Sequence, residues 1–113
     1  MPETAAVREE EREMQPTVVE VKVGPQLEDF AFPSYFTISK SLNQQVKWVA
    51  ADGTTPFTIE FKKDSPFYEK QFSNDFPYSG IIRRNVLGDP NRKYEYSVSI
   101  GSQTRDPGGV INP

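Results

Sequence analysis

Pro56-Phe57-Thr58-Ile59-Glu60-Phe61-Lys62 carries the clearest alternation in the chain. Phe57, Ile59 and Phe61 fall on one side of an extended backbone, and Thr58, Glu60 and Lys62 on the other. That two-residue period belongs to a strand with one buried and one wet face. Its neighbours on both sides repeat the pattern. Upstream, beyond the Asp52-Gly53 break, Val46 and Trp48 alternate with Lys47 and Val49, preceded by a turn at Ser41-Leu42-Asn43-Gln44. Phe36 and Ile38 share one face of Tyr35–Ser39. Val19, Val21 and Val23 share another, against Glu20 and Lys22, until Gly24-Pro25 ends the run.

Downstream, residues 63–80 are aromatic but irregular, and read as a long loop with a short helical turn near Tyr68–Phe72. Ile81–Val86 is expected as a fifth strand, and Gly88-Asp89-Pro90-Asn91 as a turn. Tyr94, Tyr96, Val98 and Ile100 alternate with Glu95, Ser97 and Ser99 in a sixth strand. Arg105-Asp106-Pro107-Gly108-Gly109 turns the chain into a seventh, Val110–Asn112. Short strands at this spacing predict an all-β, antiparallel Greek-key sandwich over residues 17–113. No segment has helical periodicity. Eight Phe, five Tyr and one Trp supply the core of a chain that is only 35% hydrophobic.

Charge is distributed unevenly. The first 14 residues hold Glu3, Glu9, Glu10, Glu11 and Glu13 against Arg8 and Arg12, while the rest carries eleven acids and eleven bases. The whole net charge of −3 thus resides in the N-terminal segment, and residues 1–16 are expected to be an acidic, disordered tail. No broad basic face points to nucleic acid. No apolar run is long enough for a membrane span or a leader, which gives an expectation of a cytoplasmic protein.

With neither Cys nor His, disulfides, thiolate and imidazole metal ligands and His-based catalytic relays are excluded. Catalysis by carboxylates alone is the one enzymatic alternative. Asp52, Asp64, Asp75, Asp89 and Asp106 read as turn residues capping their own backbone. No catalytic residue, metal ligand or cofactor is therefore assigned. The steps Lys62-Lys63, Arg83-Arg84 and Arg92-Lys93 read singly as solvated charge that discourages edge pairing. Joined by the fold, they would form a basic patch for an acidic partner or a phosphate.

The order of Gln45-Val46-Lys47-Trp48-Val49, Asp52-Gly53, Pro56–Phe61 and Tyr94-Glu95-Tyr96-Ser97-Val98 resembles the cupredoxin-like family. An immunoglobulin-like sandwich is the alternative topology. The resemblance places copper ligands at Phe57, at Val98 and in the loop beginning at Gly101. None of these can bind copper, so the resemblance implies the fold without the metal. Two functional readings follow. In the first, the chain is a non-enzymatic protein-binding or structural module, a monomer or weak homodimer, with Phe67, Tyr68, Phe72, Phe76 and Tyr78 as a candidate surface. Those five aromatics either plug the sandwich or face a partner. In the second, a small molecule occupies the vacated pocket near Phe57 and Val98.

Overall fold

The computed structural model describes residues 17–113, so the expected acidic tail lies outside the described residues. These residues form nine strands: β1 (Thr17–Val23), β2 (Ala31–Phe32), β3 (Tyr35–Ser39), β4 (Gln44–Ala50), β5 (Thr58–Phe61), β6 (Gln71–Ser73), β7 (Asp89–Ile100), β8 (Gln103–Arg105) and β9 (Gly108–Asn112). A single 3₁₀ turn at Glu28–Phe30 precedes β2. The all-β expectation holds.

The strands make two sheets. The smaller has the order β2-β1-β4, and the larger β3-β9-β7-β5-β6 with β8 added to β7. Alternation suggested antiparallel pairing throughout, but both sheets are mixed. β1 runs parallel to β4, from Thr17 opposite Gln44 to Val23 opposite Ala50, and β3 runs parallel to β9. Parallel neighbours need a long connection. Residues 24–43 supply it for β1 and β4, visiting both sheets on the way.

Segment 74–80 closes one side of the sandwich. Ser73 bridges to Phe76 at the β6 edge, and Tyr78 bridges to Lys47 on β4. Trp48 N–H donates to the Pro77 carbonyl (3.0 Å), and Val46 N–H donates to Ser79 Oγ (2.8 Å). The otherwise open edge of β4 is thereby satisfied by a loop.

The inward faces match the sequence pattern. Val21, Val23, Phe36, Ile38, Val46, Trp48, Ile59, Phe61, Tyr96, Val98 and Ile111 are all at most 1% exposed. Trp48 reaches from the smaller sheet into an aromatic cage on the larger. It stacks on Phe72 (4.8 Å between centroids) and meets Phe36, Phe61, Phe67 and Tyr96 edge-on. Each such pair contributes roughly 0.5–1.5 kcal/mol beyond the area it buries.

Three expectations are corrected. Ile81–Val86 forms no strand; its sole ladder contact is the bridge from Ile82 to Phe67, with Arg83 N–H donating to the Pro66 carbonyl (2.8 Å). The helical turn expected near Tyr68–Phe72 is replaced by β6, three residues long and paired with β5. Gly88–Asn91 does not reverse the chain. β7 runs straight through from Asp89, and the pairing to β9 jumps from Asp89–Ile111 to Lys93–Val110. Pro90 sits in that irregularity, where no ladder N–H is required.

Candidate functional site

The aromatic loop divides between plug and surface. Phe67 and Phe72 are core residues, 1% and 2% exposed, whereas Tyr68, Phe76 and Tyr78 are exposed. Phe76 lies flat on Phe72 (5.9 Å, 5°), and Tyr78 carries Lys47 over its ring at 5.0 Å. Phe67 and Phe72 therefore hold the sandwich together and present no face to a partner.

The positions that the family resemblance assigns to copper do not gather around one cavity. Phe57 and Val98 are buried in the core, while Gly101 lies exposed in the turn after β7 with φ +60° and open space around it. Phe57 lines a depression of about 260 Å³ with Lys47, Trp48, Ala50, Asn74 and Pro77, and neither Val98 nor Gly101 borders it. Among the described residues no three carboxylates converge as a metal site would require.

The fold does gather the three dibasic steps. β5 leaves the larger sheet after Phe61, while β7 extends several residues beyond it, and Lys62 N–H still donates to the Glu95 carbonyl (3.2 Å). The departing strand is flanked on its other side by residues 82–84, through the Phe67–Ile82 bridge and the Arg83–Pro66 hydrogen bond. Lys62-Lys63, Arg83-Arg84 and Arg92-Lys93 thus lie on three adjacent stretches of chain.

Asp64 is their hub. Arg83 Nη2 donates to its Oδ1 at 2.9 Å and Arg92 Nη2 to its Oδ2 at 2.8 Å. One carboxylate holds two guanidiniums, each of which keeps further donors. Arg83 Nε is buried without a hydrogen-bond partner among the described residues. A groove of about 180 Å³ opens here, lined by Lys62, Lys63, Asp64, Arg92, Lys93, Tyr94 and Glu95.

Lys62 is engaged by Asp106 (3.0 Å) and Glu95 (3.9 Å). Lys63, Arg84 and Lys93 have no carboxylate partner among the described residues. Six cations against Asp64, Glu95 and Asp106 leave an excess of three positive charges. Aromatic rings border the cluster. Tyr68 Oη accepts the Arg84 N–H (3.3 Å), Arg92 lies over Tyr94 (4.5 Å), and Lys93 lies over the exposed Tyr35 (5.2 Å).

Asp64 was expected to cap a turn, and so was Asp106; both instead pair with cations across the fold. Asp52 and Asp89 do cap local backbone, at Thr54–Thr55 and Asn91. The sequence signal for the groove was present, since six of the eleven bases after residue 14 sit in dibasic steps. Which loop would bring them together was not readable from spacing.

No family model matches the chain, and neither a curated protein nor a solved structure matches it. Among the described residues, no helix is long and apolar enough to cross a membrane.

Proposed function

We propose that the chain is a non-enzymatic protein-binding module that holds an acidic segment of polypeptide in the groove around Asp64. The observation that carries this reading is the gathering of three dibasic steps around Asp64, two of them paired to its carboxylate, with a local excess of positive charge in a domain that is neutral overall. Fixed, partly paired guanidiniums recognise carboxylates through planar N–H pairs, and the bordering Tyr35 and Tyr68 add exposed apolar surface. The lack of His and Cys fits a binding role, because the commonest general bases and nucleophiles are missing. The same reading keeps the sandwich as a copper-free, cupredoxin-like domain on the strength of its motif order, with Phe57 and Val98 serving as packing.

Exposed ion pairs are individually weak and screened by salt. Binding should therefore be modest and steeply salt-dependent. Fluorescence anisotropy with a labelled octaglutamate peptide tests it, comparing the intact chain with the double variant Lys63→Glu, Arg84→Glu. Both residues are exposed and outside the ion pairs, so the variant should melt like the parent. Loss of peptide binding in the variant supports the reading. Binding that survives the reversal, or tighter capture of a single-stranded oligonucleotide of equal charge, overturns it.

A further inference from the structure

The groove has an acidic segment close at hand in its own chain. From the geometry we infer that residues 9–13, Glu-Glu-Glu-Arg-Glu, occupy the cationic groove of the same molecule and compete with any acidic partner. This inference rests on the groove reading above and names its resident occupant.

Three observations carry it. The first is charge: the segment before residue 15 has a net charge of −3, and the six clustered cations in and beside the groove exceed Asp64, Glu95 and Asp106 by three. The second is where the segment leaves the fold. Thr17 N–H donates to the Asn43 carbonyl (3.1 Å), and Asn43 N–H donates to the Lys40 carbonyl (3.1 Å). Lys40 Nζ in turn donates to the Arg84 carbonyl (2.7 Å) and to that of Val86. The first described residue is thus linked, through one turn and one lysine, to the backbone at Arg84, one of the six clustered cations. The third is reach. Glu13 and Glu9 lie four and eight residues before Thr17, and eight extended residues span at most about 28 Å.

Docking within one molecule lets weak ion pairs suffice. Covalent linkage raises the effective concentration of the segment to the millimolar range. An outside peptide must displace it, and the segment acts as a built-in threshold against weakly acidic partners.

The first test keeps the chain full-length and neutralises the segment with Glu9→Gln, Glu10→Gln, Glu11→Gln and Glu13→Gln. Labelled octaglutamate should bind this variant about three- to tenfold more tightly than the parent, as expected for removing a tethered competitor. Equal binding by both would overturn the inference and leave the groove reading standing. No binding by either form would remove the groove reading and the inference together.

A second readout needs no added peptide. Since the chain has no cysteine, Ala6→Cys accepts a single spin label in a unique place. Amide signals of Lys63, Arg84 and Lys93 should broaden, and recover in high salt or when the four glutamates are neutralised. Broadening confined to the vicinity of Thr17 and Asn43 would overturn docking. Broadening that passes to an unlabelled copy in a mixed sample would place the segment on a second molecule and overturn the intramolecular form.

Discussion

The ring of Phe36 on β3 lies across Gly109, its register partner on the parallel strand β9, and a Cβ added at position 109 would stand 2.1 Å from Phe36 Cζ. Phe36 is fully buried and touches Trp48, Phe67 and Tyr96 through its ring. The bare Cα of Gly109 is therefore what lets the aromatic cage sit down on the larger sheet.

Gly109→Ala should destabilise the domain by about 3 kcal/mol, since overpacking a tight core costs ~1–3 kcal/mol and here three ring atoms are in the way. Gly53→Ala is the control: its φ of +82° disfavours a side chain, yet nothing stands within 4 Å, so about 1 kcal/mol is expected. Adding Phe36→Leu should recover part of the loss at position 109 and none at position 53, by urea denaturation. A smaller loss for Gly109→Ala than for Gly53→Ala would refute the close approach.

The division of the aromatic loop gives a sharper contrast. Phe67→Ser and Phe72→Ser should each cost roughly 3–5 kcal/mol, a large part of the stability of a domain this size. Tyr68→Ser should stay within about 0.5 kcal/mol of the parent, as an exposed position. Thermal melts of the three variants decide it. Near-native melting of Phe72→Ser would mean that Phe72 is no part of the cage around Trp48.

Strands with one buried face were legible because burial writes a two-residue period into the sequence, and β1, β3, β4, β5 and the second half of β7 were read that way. β6 was not legible. Three residues with one inward Phe72 give no period, and the pairing that defines β6 comes from β5. Ile81–Val86 misled for the opposite reason: Ile82 and Val86 are buried, but by a loop lying against residues 66–67 without a ladder. The parallel pairs were invisible, since alternation fixes which face is buried and carries no information about strand direction. The cations of the candidate site were visible one step at a time. Their convergence depends on Asp64, whose partners are 19 and 28 residues away.

Acid should reveal the turn after β4. Asp52 accepts hydrogen bonds from the Thr55 hydroxyl and from the N–H groups of Thr55 (2.8 Å) and Thr54 (2.9 Å). Those donors, the hydroxyl foremost, hold its carboxyl at about 2, against an ordinary 3.8. The unfolded chain takes up this proton first, so the stabilisation is complete above the ordinary value and is lost as pH falls towards 2. Asp52→Asn should flatten the decline of the urea midpoint across that window and leave the neutral-to-alkaline limb unchanged. An identical acid slope in parent and variant would show that the turn contributes nothing to acid sensitivity.

Alkali should reveal the centre of the core. Tyr96 Oη and Trp48 Nε1 are both buried without a hydrogen-bond partner among the described residues, on rings 5.6 Å apart. Burial pushes the Tyr96 hydroxyl well above its ordinary value of 10.0, because a phenolate there would lose its hydration. The sign follows: a group whose folded value is raised contributes in full below the unfolded value, and that contribution falls as pH climbs past 10.0. Tyr96→Phe should therefore flatten the alkaline decline of the urea midpoint. At neutral pH it removes an unsatisfied hydroxyl and keeps the ring contacts with Phe36, Trp48 and Phe61. The cost there should be near zero, with a gain of up to about 1 kcal/mol attainable, since a buried donor without a partner is a net penalty. A loss above about 2 kcal/mol would mean that the hydroxyl is hydrogen-bonded after all, most simply through a water shared with Trp48 Nε1.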